Sequence, residues 1–275
     1  MRTMSWFLVS CLSLGPLAAS CAEGGPTDPG PVVPSGGTGG SADASDEGPG
    51  GSGGSSTGGT AGSATGGTGG SSTGGTGGSP AAYSHTIAID GVKDFTAGET
   101  FATSSTGSYS AFFSWDATYL YVGMEGADVG SGSASKWVLL YVGGTPGTKT
   151  GQLYNTQQPG LPFDAKYHVR WTTANTFTGV RAWDGSSWAD VTWDFTGDVW
   201  RTGTYLEMRI PLADLGVTGK VDVHLCMLNE AQGGEWTYAG APSSSFADSF
   251  DPNYAKYFEF DLTAPGTPGS YAPLP

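Results

Sequence analysis

The sequence predicts an all-β protein, an antiparallel β-sandwich resembling a jelly roll, that follows a disordered linker rich in Gly, Ser and Thr. From residue 84 onward, apolar and polar residues alternate in short runs that are separated by turn residues. Only residues 212–216 suggest a helical turn. Of the 47 glycines, 23 lie in residues 22–80, a segment with too few large apolar side chains to offset the entropy lost on ordering.

The first 20 residues predict an export signal peptide. Arg2 supplies a positive charge, and the apolar segment 6–17 is too short to span a bilayer as a stable helix. The segment ends in Leu-Ala-Ala-Ser followed by Cys21, which resembles the lipobox of bacterial lipoproteins. That resemblance implies that Cys21 is acylated, for example with palmitate, and that Ala22 after it directs the chain to the outer membrane. Ordinary signal-peptide cleavage is the alternative.

The rest of the chain divides into a linker, residues 21–80, and one domain, residues 81–275. The linker would span on the order of 40–45 Å as a Gly-rich coil. The domain holds eight of the nine tryptophans and a single cysteine, Cys226, so we expect a folded core, a buried thiol and no internal disulfide. A net charge of −14 without a basic cluster argues against binding nucleic acid or anionic membrane surfaces. We expect the domain to be monomeric.

The alternation predicts about nine strands and assigns side chains to their faces. In one of them Tyr167, Val169 and Trp171 share the apolar face, so His168 and Arg170 lie on the opposite face, which is either solvated or a binding site. The strands are expected at residues 108–116, 118–124, 136–142, 166–172, 177–183, 188–193, 206–212, 221–227 and 258–262.

Several tryptophans are expected in the core, whereas other residues are expected at the surface or in loops. Trp115, Trp171, Trp193 and Trp137 lie on predicted strands, which favours the core. His85 and His224 are predicted to be surface residues. Residues 233–253 read as a long loop that carries Trp236 and Phe250, and long loops on a rigid scaffold commonly carry binding residues.

Five motifs in order resemble family 9 carbohydrate-binding modules and the related DOMON-like domains. Together they cover residues 84–262. They are Asp90-Gly91, residues 113–122 followed by Asp128, residues 207–215, residues 228–231, and residues 250–252 followed by 257–262.

The resemblance implies a site where two aromatic rings clamp a sugar and polar side chains bond its hydroxyls. Residues 131–135, where one family ring lies, contain no aromatic, and Trp137 is the nearest. The carbohydrate-binding candidates are Trp137, His168, Arg170, Asn229, Glu230, Trp236, Phe250 and Asp251. Structural Ca²⁺ also occurs in the family, and the carboxylates that could contribute here are Asp90, Asp116, Asp128 and Asp251.

The sequence therefore predicts a surface lipoprotein that binds polysaccharide or glycan ends without catalysing a reaction. No Ser-His-Asp order, zinc spacing or phosphate-binding loop indicates an enzyme. One alternative is a haem-binding DOMON-like electron-transfer domain, which would need axial ligands such as Met124, Met208 or Met227 together with His or Lys. Another is a structural or adhesive module that has no small ligand.

Overall fold

A computed structural model describes residues 80–105, 108–152, 158–231, 234–250 and 252–275. The predicted signal peptide, Cys21 and almost all of the linker lie outside the described residues, as does Asp251. Strands dominate the described part of the chain. They are β1 (Thr100–Ala102), β2 (Ser110–Trp115), β3 (Tyr119–Glu125), β4 (Lys136–Thr150), β5 (Gly160–Thr172), β6 (Thr178–Trp183), β7 (Trp188–Val191), β8 (Val199–Thr202), β9 (Tyr205–Pro211), β10 (Lys220–Asn229), β11 (Trp236–Ala241), β12 (Ser249–Phe250) and β13 (Phe258–Asp261).

The strands form two antiparallel sheets, which confirms the predicted sandwich. The smaller sheet has the order β1-β2-β3-β9-β8. The larger has the order β12-β11-β10-β4-β5-β6-β7, and β13 also pairs with β10. A short helix, α1 (Leu212–Leu215), lies where the sequence predicts a helical turn, and short 3-10 helices occur at Ala97–Glu99, Val129–Ser131 and Pro268–Ser270. No helix among the described residues is long and apolar enough to span a bilayer.

The main core lies between the two sheets, and the face of the larger sheet that points into it is called the inner face. Leu140, Val169 and Leu225 supply apolar side chains from the larger sheet, and Phe113 and Met208 from the smaller. Full burial of such a side chain contributes about 1.5–3 kcal/mol to folding. The predicted core residues Trp115 and Trp171 lie here fully buried, and Trp193 packs against this cluster while partly buried.

A second apolar layer covers part of the opposite, outer face of the larger sheet. The hairpin of β4 and β5 extends past the sheet with register shifts after Val142, and its far half carries Leu161 and Phe163 back over this face. Tyr254 and Phe246 add to the layer. The larger sheet is therefore buried on both faces near its centre, which explains why residues 137–142 of β4 are all apolar.

Three expectations from the sequence are wrong, and this second layer explains two of them. His168 and Arg170 do not lie on a solvated face, because they are 0% and 4% exposed. His224 is not a surface residue, because it is fully buried beside Tyr254. Residues 233–253 are not simply a loop, since they contain β11 and β12 at the edge of the larger sheet.

Candidate functional site

The candidate site lies on the outer face of the larger sheet, where β5, β6 and β7 run side by side. Strand register places His168 of β5 opposite Tyr141 of β4 and Arg181 of β6, and Arg181 opposite Asp190 of β7. Side chains at these paired positions point to the same face. Arg170, two residues along β5 from His168, therefore belongs to the same surface.

Two guanidinium groups converge on the carboxylate of Asp190. Arg181 Nε lies 2.8 Å from Asp190 Oδ1, and Arg170 Nη2 lies 3.5 Å from the same atom. The Asp190 side chain is 72% exposed, whereas that of Arg170 is 5% exposed. Arg181 also donates to the side-chain carbonyl of Gln152. This charged group therefore extends from solvent into the protein and offers both donors and an acceptor.

His168 is a buried, neutral imidazole beneath that charged group. Its ring stacks on Tyr141 with centroids 4.3 Å apart and planes 6° apart. Burial, followed by the positive charges of Arg170 and Arg181, holds the pKa of His168 well below its usual range. Neither ring nitrogen has a hydrogen-bond partner among the described residues.

The hydroxyl of Thr172, on the same face of β5, likewise has no partner within the described part of the chain. Buried polar groups in proteins are nearly always hydrogen-bonded, so exceptions need an explanation. A buried water, an ion or a bound polar molecule can supply the missing partner of such a group.

Aromatic rings flank the charged group on two sides. Phe177, which is 44% exposed, has its ring centroid 5.9 Å from Arg170 Cζ. Gly179 permits this position, since a Cβ there would lie only 2.5 Å from the Phe177 ring. On the other side, Trp188 lies with its ring centroid 6.2 Å from that of His168. A cleft of about 300 Å³ beside β6 and β7 is lined by Arg170, Phe177 and Asp190 among others.

Two of the predicted binding residues adjoin this surface. Trp137 Nε1 donates to Glu230 Oε2 at 2.9 Å, and the Trp137 ring contacts Phe177 edge-on with centroids 5.8 Å apart. Trp137 is 4% exposed, which confirms the expectation of a core residue, although its cluster lies on the outer face rather than between the sheets. Trp137, His168, Arg170 and Glu230 are thus brought to one side of the sheet.

Three of the remaining predicted residues lie on the other side of the sheet, and Asp251 lies outside the described residues. Asn229 of β10, Trp236 of β11 and Phe250 of β12 occupy directly paired positions. Because neighbouring residues of a strand alternate between faces, Asn229 and Glu230 diverge. Trp236 packs against the core between the sheets, and Phe250 meets it edge-on at a centroid distance of 4.8 Å. The structure therefore splits the predicted site into two groups.

Sequence reasoning missed Phe177, Arg181, Trp188 and Asp190, although the sequence contains a signal for the last three. A hairpin around Asp184-Gly185 pairs Trp183 with Trp188, and this pairing also sets Arg181 opposite Asp190. The φ of Gly185 is +105°, a conformation that favours glycine.

A Ser–His pair on the outer face is not arranged for catalysis. Ser245 Oγ donates to the carbonyl of Lys256 at 3.0 Å and lies 2.8 Å from His224 Nε2. Since a hydroxyl has a single proton, His224 must donate to Ser245 and cannot accept its proton. Burial lowers the pKa of His224 to about 3, and both residues are inaccessible. The thiol of Cys226 is buried nearby, as predicted, and burial raises its pKa to about 12.

The candidate methionines do not lie on the same side of the larger sheet as the buried histidines. Met124, Met208 and Met227 are buried between the sheets, whereas His168 and His224 lie on the outer face of the larger sheet.

The carboxylates expected for Ca²⁺ are Asp90, Asp116, Asp128 and Asp251, of which Asp251 lies outside the described residues. Within the described ranges, no group of three or more His, Cys, Asp or Glu residues could hold a metal ion. Protein donors occupy two of the expected carboxylates. Asp116 accepts bonds from Thr118 and Tyr121, and Asp128 accepts bonds from Tyr109 and Tyr238.

Comparison with models of known protein families, with curated proteins and with solved structures gives no match to this chain.

Proposed function

We propose that the domain is a noncatalytic carbohydrate-binding module, similar to those of family 9, and that the outer face around Asp190 binds the glycan. The observation that carries this proposal is the convergence of Arg170 and Arg181 on the exposed carboxylate of Asp190, between the rings of Phe177 and Trp188. Sugar hydroxyls need donors and acceptors together, whereas the C–H faces of a sugar ring pack on aromatic side chains.

The chemistry of the site supports binding rather than turnover. Arginine stays protonated at every physiological pH, and His168 is held neutral, so neither is poised to move a proton near neutral pH.

The site favours weak binding of chain ends or exposed residues of a polysaccharide. Phe177 is 44% exposed and the Asp190 side chain is 72% exposed, so a ligand bound beside them would keep part of its hydration. We expect a Kd of roughly 0.1–1 mM, equivalent to about −4 to −5.5 kcal/mol. By the lipobox resemblance we further propose that Cys21 anchors the chain to the outer membrane and that the linker holds the domain away from it.

A glycan array with the full-length chain, followed by calorimetry on the best ligand, tests the function. Phe177→Ala should weaken binding at least tenfold, because an exposed stacking ring is lost. Trp200→Ala is the matched control, since Trp200 is 49% exposed but belongs to β8 of the smaller sheet. Equal binding by wild type and Phe177→Ala would show that the site lies elsewhere.

A further inference from the structure

A second pocket lies at the edge of the sandwich, on the side of the larger sheet that faces the core. It has a volume of about 220 Å³, and its lining includes the aromatic residues Tyr109, Trp236 and Tyr238. We call it the edge pocket. Because β10 and β11 separate it from the outer face, its ligand does not depend on the proposed glycan site.

The rings of the edge pocket are held in fixed orientations. Tyr109 and Tyr238 meet edge-on with centroids 5.6 Å apart. Both hydroxyls donate to Asp128 Oδ2, at 3.0 Å from Tyr109 and 2.8 Å from Tyr238. Trp236 is braced by its edge-on contact with Phe250. The face of an aromatic ring carries partial negative charge, so a pocket lined by aromatic rings favours a cationic ligand.

The charges that line the edge pocket also favour a cation. Asp128 is paired with Lys136, so its charge is largely balanced. The carboxylate of Asp248 accepts bonds from the hydroxyls of Ser104 and Ser105, and no Lys or Arg among the described residues forms a salt bridge with it. Burial, then Asp128 and then Asp248, raises the pKa of Tyr109 to about 12, so both carboxylates act on the same ring.

Asn229 adds a donor that is not used within the described residues. Its side chain lines the edge pocket and is 8% exposed. Its Oδ1 accepts a bond from the backbone of Ala231 at 2.9 Å, but none of the described residues accepts a bond from its Nδ2. An amide N–H₂ group in this position suits an oxygen atom of the ligand, such as a hydroxyl.

We propose that the edge pocket binds a small hydroxylated amine, of the chemical class of an amino sugar with an unsubstituted amino group. The ammonium group lies against the rings of Tyr109, Tyr238 and Trp236 and is neutralised by Asp248. A ligand hydroxyl accepts a bond from Asn229. Neutral sugars lack the ammonium group that contacts the rings and Asp248. Quaternary amines without hydroxyl groups near the nitrogen lack the hydroxyl that accepts a bond from Asn229.

Calorimetry of the full-length chain with D-glucosamine, D-glucose, N-acetylglucosamine and tetramethylammonium, in mildly acidic buffer, tests the proposal. We expect glucosamine to bind at least tenfold more tightly than the other three. Equal binding of glucose or N-acetylglucosamine would overturn the role of the charge. Equal binding of tetramethylammonium, which has no hydroxyl group, would overturn the role of Asn229, and no binding of glucosamine would overturn the site.

Two variants test whether glucosamine binds in the edge pocket. Asp248→Asn keeps the shape and an acceptor oxygen for one of the two serines, and it should reduce glucosamine affinity at least tenfold. Asp214→Asn is the control, because it makes the same charge change at an exposed position of α1. If Asp248→Asn has a wild-type melting curve and binds glucosamine like wild type, the proposal is wrong. If Asp248→Asn does not fold, Trp236→Phe replaces it as the test, because this variant keeps a ring but loses the larger indole face. Trp236→Phe should reduce glucosamine affinity by a smaller factor. Unchanged glucosamine binding by Trp236→Phe would also contradict the proposal.

Discussion

Arg170 is almost completely buried, yet its guanidinium reaches an oxygen of Asp190, whose side chain is mostly exposed. A carboxylate in solvent adds little to stability when it pairs with a cation, typically about 0–1 kcal/mol, because water screens the interaction. The same carboxylate can accept a hydrogen bond from a ligand hydroxyl without first losing a protein partner. The pair is therefore better suited to recognition than to holding the fold together.

Asp190→Ala should separate these two roles. We expect the free energy of unfolding to fall by less than about 1 kcal/mol, as for a surface ion pair. Binding of the best array glycan should weaken at least tenfold. Urea unfolding and calorimetry on the same preparation measure both quantities. A large loss of stability with unchanged binding would show that Asp190 is a structural residue.

Strand parity explains how much of this site could be predicted from the sequence. The alternation in residues 166–172 correctly set His168 and Arg170 opposite Val169. The return of Leu161 and Tyr254 over that face could not be predicted, because it depends on a register shift in a long hairpin and on contacts between residues far apart in the chain.

The division of the predicted residues has a different cause. The family motifs group the predicted binding residues by their order along the chain. That order does not show which face of a strand each side chain occupies. Asn229 and Glu230 are consecutive, so parity alone would have placed them in separate sites. The glycines directly before Trp236 are typical of loops, so the sequence pattern does not indicate the strand that begins there.

His168→Phe tests whether a buried polar group is retained for function. Phenylalanine keeps a ring to stack on Tyr141 and removes two nitrogens that have no partner among the described residues. We expect stability to stay level or rise by about 1 kcal/mol, since an unsatisfied buried polar group is costly. Glycan binding should weaken. Thermal unfolding that shows a loss of more than about 2 kcal/mol would instead indicate that the imidazole has structural partners.

Lipidation of Cys21 is tested in a cell that exports the full chain. Cys21→Ser should abolish labelling by a fatty-acid analogue and release the protein from the membrane fraction, because the acceptor thiol is lost. Cys11→Ser is the matched control, since this cysteine lies within the predicted signal peptide and should leave labelling unchanged. Labelling that persists in Cys21→Ser would rule out the lipobox interpretation.

Asp222 should make the domain less stable as pH rises through the mildly acidic range. Burial, followed by the negative charge of Glu259, raises the pKa of Asp222 to about 6. The unfolded chain has the lower, ordinary pKa of about 3.9, so the native state binds more protons between about pH 4 and about pH 6. The contribution of this group to stability is therefore fully present below pH 4 and is lost as the pH rises towards 6.

Asp222→Asn removes the charge, and we expect it to raise stability at neutral pH by about 1 kcal/mol, a value discounted for screening because the side chain is only partly buried. Urea unfolding across this range should show a flatter pH dependence for Asp222→Asn than for wild type, whereas the exposed control Asp214→Asn should follow wild type. Parallel curves for all three proteins would mean that Asp222 titrates alike in the folded and unfolded chains.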